Sequence, residues 1–201
     1  MAYFDIDSLD APRIYKVLAS TVVPRPIAWA VTSSREGRVN AAPFSLFGYF
    51  GGMPPVLALG IGSHSDRSKD TYANIVESGE VSISVVTSEL LHQMNVTAIG
   101  FPAAISEVDA AGIELTPNRK IATPRIAASP VTLECRTWKV LSLDEANSLV
   151  LVQVVAAHVS DEAVVDAQRG EIDGSALDMV GRLQSPGWYA RTTDIFASPR
   201  A

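Results

Sequence analysis

Residues Gly60–Ile75 read GIGSHSDRSKDTYANI, a strand ending in small residues, a loop rich in hydroxyls, and the start of a helix. How this junction is read decides the fold. Taken as Gly60-Ile61-Gly62-Ser63-His64-Ser65, it is a GxGxxG dinucleotide fingerprint with serine in place of the third glycine. That fingerprint also needs an acidic residue ending the next strand, for which Glu89 is a loose candidate, and a second βαβ unit. No second unit follows, and the helix predicted over Ser68–Glu77 spans only about three turns. A dinucleotide fold therefore does not fit.

Taken instead as a loop opening a helix, the same residues suit an anion. A helix N-terminus exposes unpaired backbone N–H groups and carries partial positive charge. Arg67 and Lys69 sit where the helix dipole disfavours cations, and a bound phosphate would resolve that conflict. Ser63, Ser65, Ser68 and Thr71 can add hydroxyl donors, and Asp70 can orient a neighbouring basic group. The alternative is a solvated loop in which Asp66 and Asp70 neutralise the two cations. Spacing alone leaves both open.

Outward from the loop the chain reads mostly as strands. Val22–Thr32 (VVPRPIAWAVT) is β-branched and aromatic, with Pro24 and Pro26 making an irregular lead-in. A polar turn at Ser33–Arg38 contains Gly37, and Val39–Phe50 is expected to be one strand bulged around Pro43. Pro55–Gly62 is short and apolar. The helix after the loop has Ser68 as its expected N-cap and Gly79 just past its end. Val81–Thr87 alternates as a half-buried strand. Ser88–Ile99 opens on a capping-type serine and carries Leu90, Leu91, Met94 and Ala98, which predicts a second helix.

Asp109–Pro130 contains three prolines and is expected to run over the surface. Val131–Leu141 and Leu149–Val159 are strands joined by Ser142–Ser148, Asp161–Gly187 is mixed, and Trp188–Phe196 reads as a last strand. Most strands follow one another without a helix between them. The pattern is mainly β with short helices, an antiparallel barrel or sandwich. One domain over 1–201 suits the length, with 160–201 as a C-terminal tail packing on the barrel or on a partner subunit.

Composition narrows the partners. Apolar residues make up 47% and charged residues 19%, the balance of a chain that buries a core. With 16 basic against 22 acidic residues the net charge is −6, which argues against nucleic acid or an anionic membrane. Cys135 stands alone and suits a reducing compartment. The N-terminal MAYFDIDSLDAPR is acidic where a signal peptide would be basic, and apolar runs such as Leu149–Val159 are too short to span a bilayer. A cytoplasmic protein is expected. His64, His92 and His158 have no metal-site spacing, so no metal is expected, and Cys135, inside a strand, reads as a buried thiol.

Three other stretches could carry chemistry. In Asn40–Phe50 (NAAPFSLFGYF), Ala41 and Ala42 let a flat ligand approach the backbone, and Pro43 frees its neighbours from regular pairing. Ser45 offers a hydroxyl. Phe44, Phe47, Tyr49 and Phe50 could wall an aromatic cofactor or simply fill a barrel core. Pro24-Arg25-Pro26 fixes the backbone around one arginine, either to aim the cation or to block edge pairing. Gly181-Arg182-Leu183 and Trp188-Tyr189-Ala190-Arg191 either cover a site or dock on a partner.

Four motifs in order resemble the flavin reductase-like family of FMN-binding split-barrel proteins. They are Pro24-Arg25-Pro26-Ile27-Ala28-Trp29, Asn40-Ala41-Ala42-Pro43-Phe44-Ser45, Pro54-Pro55, and Lys69-Asp70-Thr71 followed by Asn74-Ile75. Gly181-Arg182-Leu183 with Tyr189 and Arg191 is similar to the family's tail. The resemblance implies a Greek-key split β-barrel, a homodimer, and FMN near the subunit interface. It places Asn40, Ala42, Pro43, Phe44 and Ser45 along the isoalloxazine and ribityl chain. Ser63, Arg67, Lys69 and Thr71 fall at the phosphate, Arg25 and Thr32 near the ring, and Tyr189 and Arg191 over the site.

The same resemblance implies NAD(P)H as electron donor, with Ser45 or Thr32 as the partner of flavin N5. No residue identifies a nicotinamide pocket. Three functions stay open: an FMN-dependent NAD(P)H oxidoreductase that reduces flavin or a similar acceptor and supplies a partner monooxygenase, a flavoredoxin-like carrier without pyridine-nucleotide activity, and a flavoenzyme with its own small organic substrate.

Overall fold

The computed structural model describes residues 1–62, 69–101 and 106–198. Its first large element is a helix that the strand reading left out, α1 (Ala11–Thr21). The local signals are ordinary ones: the Asp10 carboxylate accepts the N–H of Arg13 at 3.0 Å, and Pro12 lies in the first turn. Then come β1 (Ala28–Ser33), β2 (Val39–Phe44), β3 (Phe47–Gly52) and β4 (Pro55–Gly62). Helix α2 (Asp70–Ser78), strand β5 (Glu80–Ser84), helix α3 (Leu91–Val96) and helix α4 (Glu107–Ala110) follow.

The excursion holds a two-residue pair, β6 (Leu115–Thr116) with β7 (Arg125–Ile126). Two long strands, β8 (Val131–Ser142) and β9 (Asn147–Val159), complete the main sheet. The C-terminal part adds β10 (Val164–Asp166), β11 (Glu171–Ile172), β12 (Val180–Arg182) and β13 (Tyr189–Arg191).

Seven strands form one antiparallel sheet in the order β2-β1-β5-β8-β9-β4-β3. After β4 the chain crosses to pair β5 with β1, a Greek-key connection. β2 and β3 are separated only by Ser45 and Leu46, yet they lie at opposite ends of that order. The sheet therefore rolls on itself and stays unpaired at the seam. This is the split barrel expected from the sequence. At the corner the Gly60 N–H donates to the Leu46 carbonyl at 2.7 Å, and a Cβ on Gly60 would meet the Leu46 Cβ at 2.9 Å. Only glycine permits that approach without displacement.

Two apolar cores explain why β1 shows no alternation. Ala28 and Ala30 pack in the first with Phe44, Leu57, Leu59, Ile75 and Val150, while Trp29 and Val31 pack in the second with Val86, Met94 and Val180. With both faces covered, a continuous apolar run replaces a half-buried pattern. Helix α2 ends at Gly79, whose φ of 71° is the left-handed cap and whose N–H donates to the Ile75 carbonyl at 2.9 Å.

Several expected boundaries shift. β1 begins only at Ala28, because Pro24 and Pro26 lack N–H groups and Arg25 spends its backbone on a bridge to Arg182. Val39–Phe50 is two strands, broken where the chain turns the corner at Ser45. The second helix starts at Leu91 rather than Ser88: Thr87 Oγ1 accepts the Leu90 N–H at 3.3 Å, and Ser88 donates to the Asp178 carboxylate instead. The last strand shrinks to β13, since its partner β12 offers three residues.

Candidate functional site

Among the described residues β2 has one strand neighbour, β1, and its other edge carries no ladder partner. Side chains alternate along it. Ala42 and Phe44 face the barrel core, and Val39 and Ala41 face the second core. Asn40 reaches helix α2, where its Nδ2 donates to Thr71 Oγ1 at 2.8 Å. A second bond runs from Asn74 Nδ2 to Thr32 Oγ1 at 3.1 Å. All four residues are buried. These two bonds fasten the start of α2 to the β1–β2 hairpin, each contributing about 1 kcal/mol. Thr32 is fully buried, so its hydroxyl supports Asn74.

Lys69 occupies the N-cap position of α2 in extended conformation and gives no side-chain cap. Its Nζ lies 5.3 Å from the centroid of the Phe44 ring. Burial pushes its ammonium below the ordinary lysine range. Among the described residues no carboxylate lies within 4.0 Å of it. Ser63 and Arg67, with Ser65, Asp66 and the expected Ser68 cap, lie outside the described residues.

A cavity of about 480 Å³ opens beside the end of β2, walled by Pro43, Ser45, Ile27, Asn95, Arg182 and Tyr189. It is large enough for a small molecule. The Tyr189 hydroxyl donates to Asn95 Oδ1 at 2.7 Å, and the Arg182 guanidinium lies 4.7 Å from the Tyr189 ring centroid. A second cavity of about 490 Å³ lies at the other end of β2, against Asn40, Asp70 and Asn74. Sequence reasoning named Pro43, Ser45 and Tyr189 but assigned nothing to Asn95 or to Tyr15 of α1, which also lines the first cavity. No local pattern brings those residues to β2; only the tertiary fold does. Arg191 is exposed.

Arg25 is 6% exposed, and each of its three side-chain nitrogens donates to the protein. Nη1 donates to the Ala19 carbonyl and, at 3.2 Å, to that of Val22; Nη2 donates to the Leu183 carbonyl at 2.9 Å. Nε reaches Ser45 Oγ at 3.5 Å. The arginine thus joins the C-terminal end of α1 to the tail, where helix carbonyls favour a cation. It touches the candidate site through Ser45.

Two further buried groups are structural. Burial raises the Glu134 carboxyl, but N–H donors from Arg119 (3.0 Å), Lys120 (2.6 Å) and Ile121 (3.1 Å) with His158 Nε2 (2.6 Å) outweigh it and hold the group below the usual range. Burial, reinforced by the Glu134 charge, pushes the neighbouring Cys135 thiol up to about 12, which leaves it unreactive.

Comparison with known proteins gives consistent results. The model of the flavin reductase-like domain matches residues 19–172. An uncharacterised protein of Deinococcus radiodurans is 40% identical over 199 residues, covering 96% of this chain and 87% of that protein. The crystal structure of 2-nitrobenzoate 2-nitroreductase from Pseudomonas fluorescens superposes with a TM-score of 0.92 at 30% identity, covering 100% of this chain and 96% of that one. Nitrilotriacetate monooxygenase component B from Bacillus cereus superposes with a TM-score of 0.91 at 25% identity, covering 98% of each chain.

Proposed function

The chain belongs to the flavin reductase-like family, and from that premise we propose that it is an FMN-dependent NAD(P)H oxidoreductase that passes electrons to flavin or another small acceptor. The observation that carries this proposal is Lys69, a half-buried cation at the start of α2, a helix fastened by the Asn40–Thr71 bond to the edge strand β2 and by the Asn74–Thr32 bond to β1. Those features fit a flavin nucleotide: a phosphate for the cation, and a planar ring for the strand edge.

In this arrangement Lys69, with Ser63 and Arg67, holds the phosphate, and Thr71 sets the helix start through its bond from Asn40. The backbone of Asn40, Ala42, Pro43 and Phe44 borders the ring. Ser45 accepts from Arg25 and so keeps its own proton to donate toward the ring, while Tyr189 closes the adjoining cavity. When bound, FMN supplies hydride acceptance from NAD(P)H and onward electron transfer.

We read residues 1–201 as one split-barrel domain, with 160–201 as its tail, working in the cytoplasm as a homodimer. Leu46, Tyr49, Phe50 and Met53 are all exposed around β3, an apolar surface of the kind that subunits cover. Among the described residues no helix is long and apolar enough to cross a membrane. The likeness to a monooxygenase component supports delivery of reduced flavin to a partner oxygenase. A second reading, a flavoenzyme with its own organic acceptor, is favoured by the cavity beside Ser45. Anaerobic stopped-flow mixing of the FMN-loaded protein with NADH and with NADPH tests the oxidoreductase. Bleaching of the flavin band by at least one is expected; bleaching by neither, with efficient reduction by a reduced protein donor, would instead identify an electron carrier.

A further inference from the structure

We infer that the cavity beside the end of β2 is a binding site for a small planar aromatic carboxylate, held by Arg182 beside the Tyr189 ring. This rests on the reading that flavin lies along β2, and it names what sits next to it.

The argument starts from charge. Among the described residues lining this cavity only Arg182 carries a full charge, and none is acidic. Among the described residues, the cavity at the opposite end of β2 is lined by Asp70, Glu107 and Asp109 against Arg38. In a chain of net charge −6, the first cavity is thus a local positive well and the second is not.

The cation is also placed in advance. Arg182 and Tyr189 are directly opposite in the β12–β13 ladder, which seats the guanidinium over the ring at 4.7 Å. Backbone bonds in both directions with Arg25, at 2.9 and 2.8 Å, fix the strand beneath it. Nη2 donates to the Pro186 carbonyl at 3.2 Å, and among the described residues Nε and Nη1 have no partner. No carboxylate of those residues lies within 4.0 Å. A fixed guanidinium with donors to spare is matched to a carboxylate, which it can grip through two parallel bonds.

Shape supplies the rest. Ile27, Met94, Pro43 and the rings of Tyr15 and Tyr189 line the remaining wall, suited to a flat apolar body rather than a sugar or a peptide. Ser45 lines the same cavity, so a ligand there would border whatever lies along β2.

Benzoate is the probe, and its neutral isostere benzamide the reference. Both are titrated calorimetrically into the FMN-loaded protein and into Arg182→Gln, whose folding is checked by circular dichroism. Benzoate should bind about tenfold or more tighter than benzamide in the wild type, the ratio that a charge-assisted contact supports. In R182Q that preference should fall to near unity, and Arg182→Lys should keep part of it. Equal affinity for the two probes in the wild type would overturn the inference, a result that stands even if R182Q fails to fold. So would a preference that survives in a folded R182Q, or benzoate that competes with FMN, since the cavity would then be the flavin's own seat. Failure of the flavin reading shows separately, as an FMN titration that does not saturate, and calorimetry on the flavin-free protein still reads the anion preference.

Discussion

Replacing Lys69 with alanine should weaken FMN while leaving riboflavin nearly untouched. The ammonium is partly withdrawn from water, lies over the Phe44 ring, and has no carboxylate within 4.0 Å among the described residues. A charge-assisted contact in such a setting is worth about 1.5–3 kcal/mol, at the upper end where the cation is already desolvated. At 1.4 kcal/mol per tenfold, the dissociation constant for FMN should rise about 10- to 150-fold. The fold should tolerate the change, because a cation–π contact of about 0.5–1 kcal/mol is lost while a desolvated charge is relieved. The assay is quenching of flavin fluorescence on titration with protein, run in parallel for both flavins, with Lys69→Arg as the charge-retaining control. Riboflavin lacks the phosphate and should shift less than about twofold. Equal losses for both ligands would make Lys69 structural, and an unchanged FMN affinity would remove phosphate binding from the start of α2.

Other consequences follow from the buried polar groups. Glu134→Gln puts an amide N–H₂ where a carboxylate oxygen accepts backbone N–H groups, and should cost about 3 kcal/mol of stability at neutral pH by urea unfolding. Because the folded Glu134 pKa is lowered, its contribution is present above the unfolded glutamate pKa and fades as pH falls through the folded one. The gap between wild type and E134Q should therefore close below the ordinary glutamate range, and a gap constant with pH would count against the assignment. Arg25→Met strands the carbonyls of Val22 and Leu183 and should loosen the tail, read as faster limited proteolysis beyond residue 183 and a loss of about 3 kcal/mol or more. Unchanged proteolysis would show that the guanidinium does not hold the tail.

How far the sequence alone reached can be judged element by element. The antiparallel barrel was legible because strand after strand lacks an intervening helix, and because Gly79 and the polar turns mark ends by local chemistry. The corner at Ser45–Leu46 was not, since a strand that bends around a barrel keeps its β-favouring composition, and only the Gly60 N–H reveals the turn. α1 carries its own start signals, the Asp10 cap and Pro12 in the first turn, but lies outside the β-branched runs that define the strands. Asn40 and Thr71 were singled out, and the structure joins them directly. Arg25, between its two prolines, donates to carbonyls 6, 3 and 158 residues away, and the last separation is one no local motif encodes. Arg182 and Tyr189 stood out as a basic and aromatic cluster, yet their register across β12 and β13 appears only in three dimensions.

A crystal structure grown with excess FMN tests the central claim most directly. The expected result is one flavin per chain, its phosphate within hydrogen-bond reach of Lys69 and its ring against the open edge of β2. Flavin bound elsewhere, or Lys69 turned onto Asp66 or Asp70 with no phosphate beside it, would contradict the account.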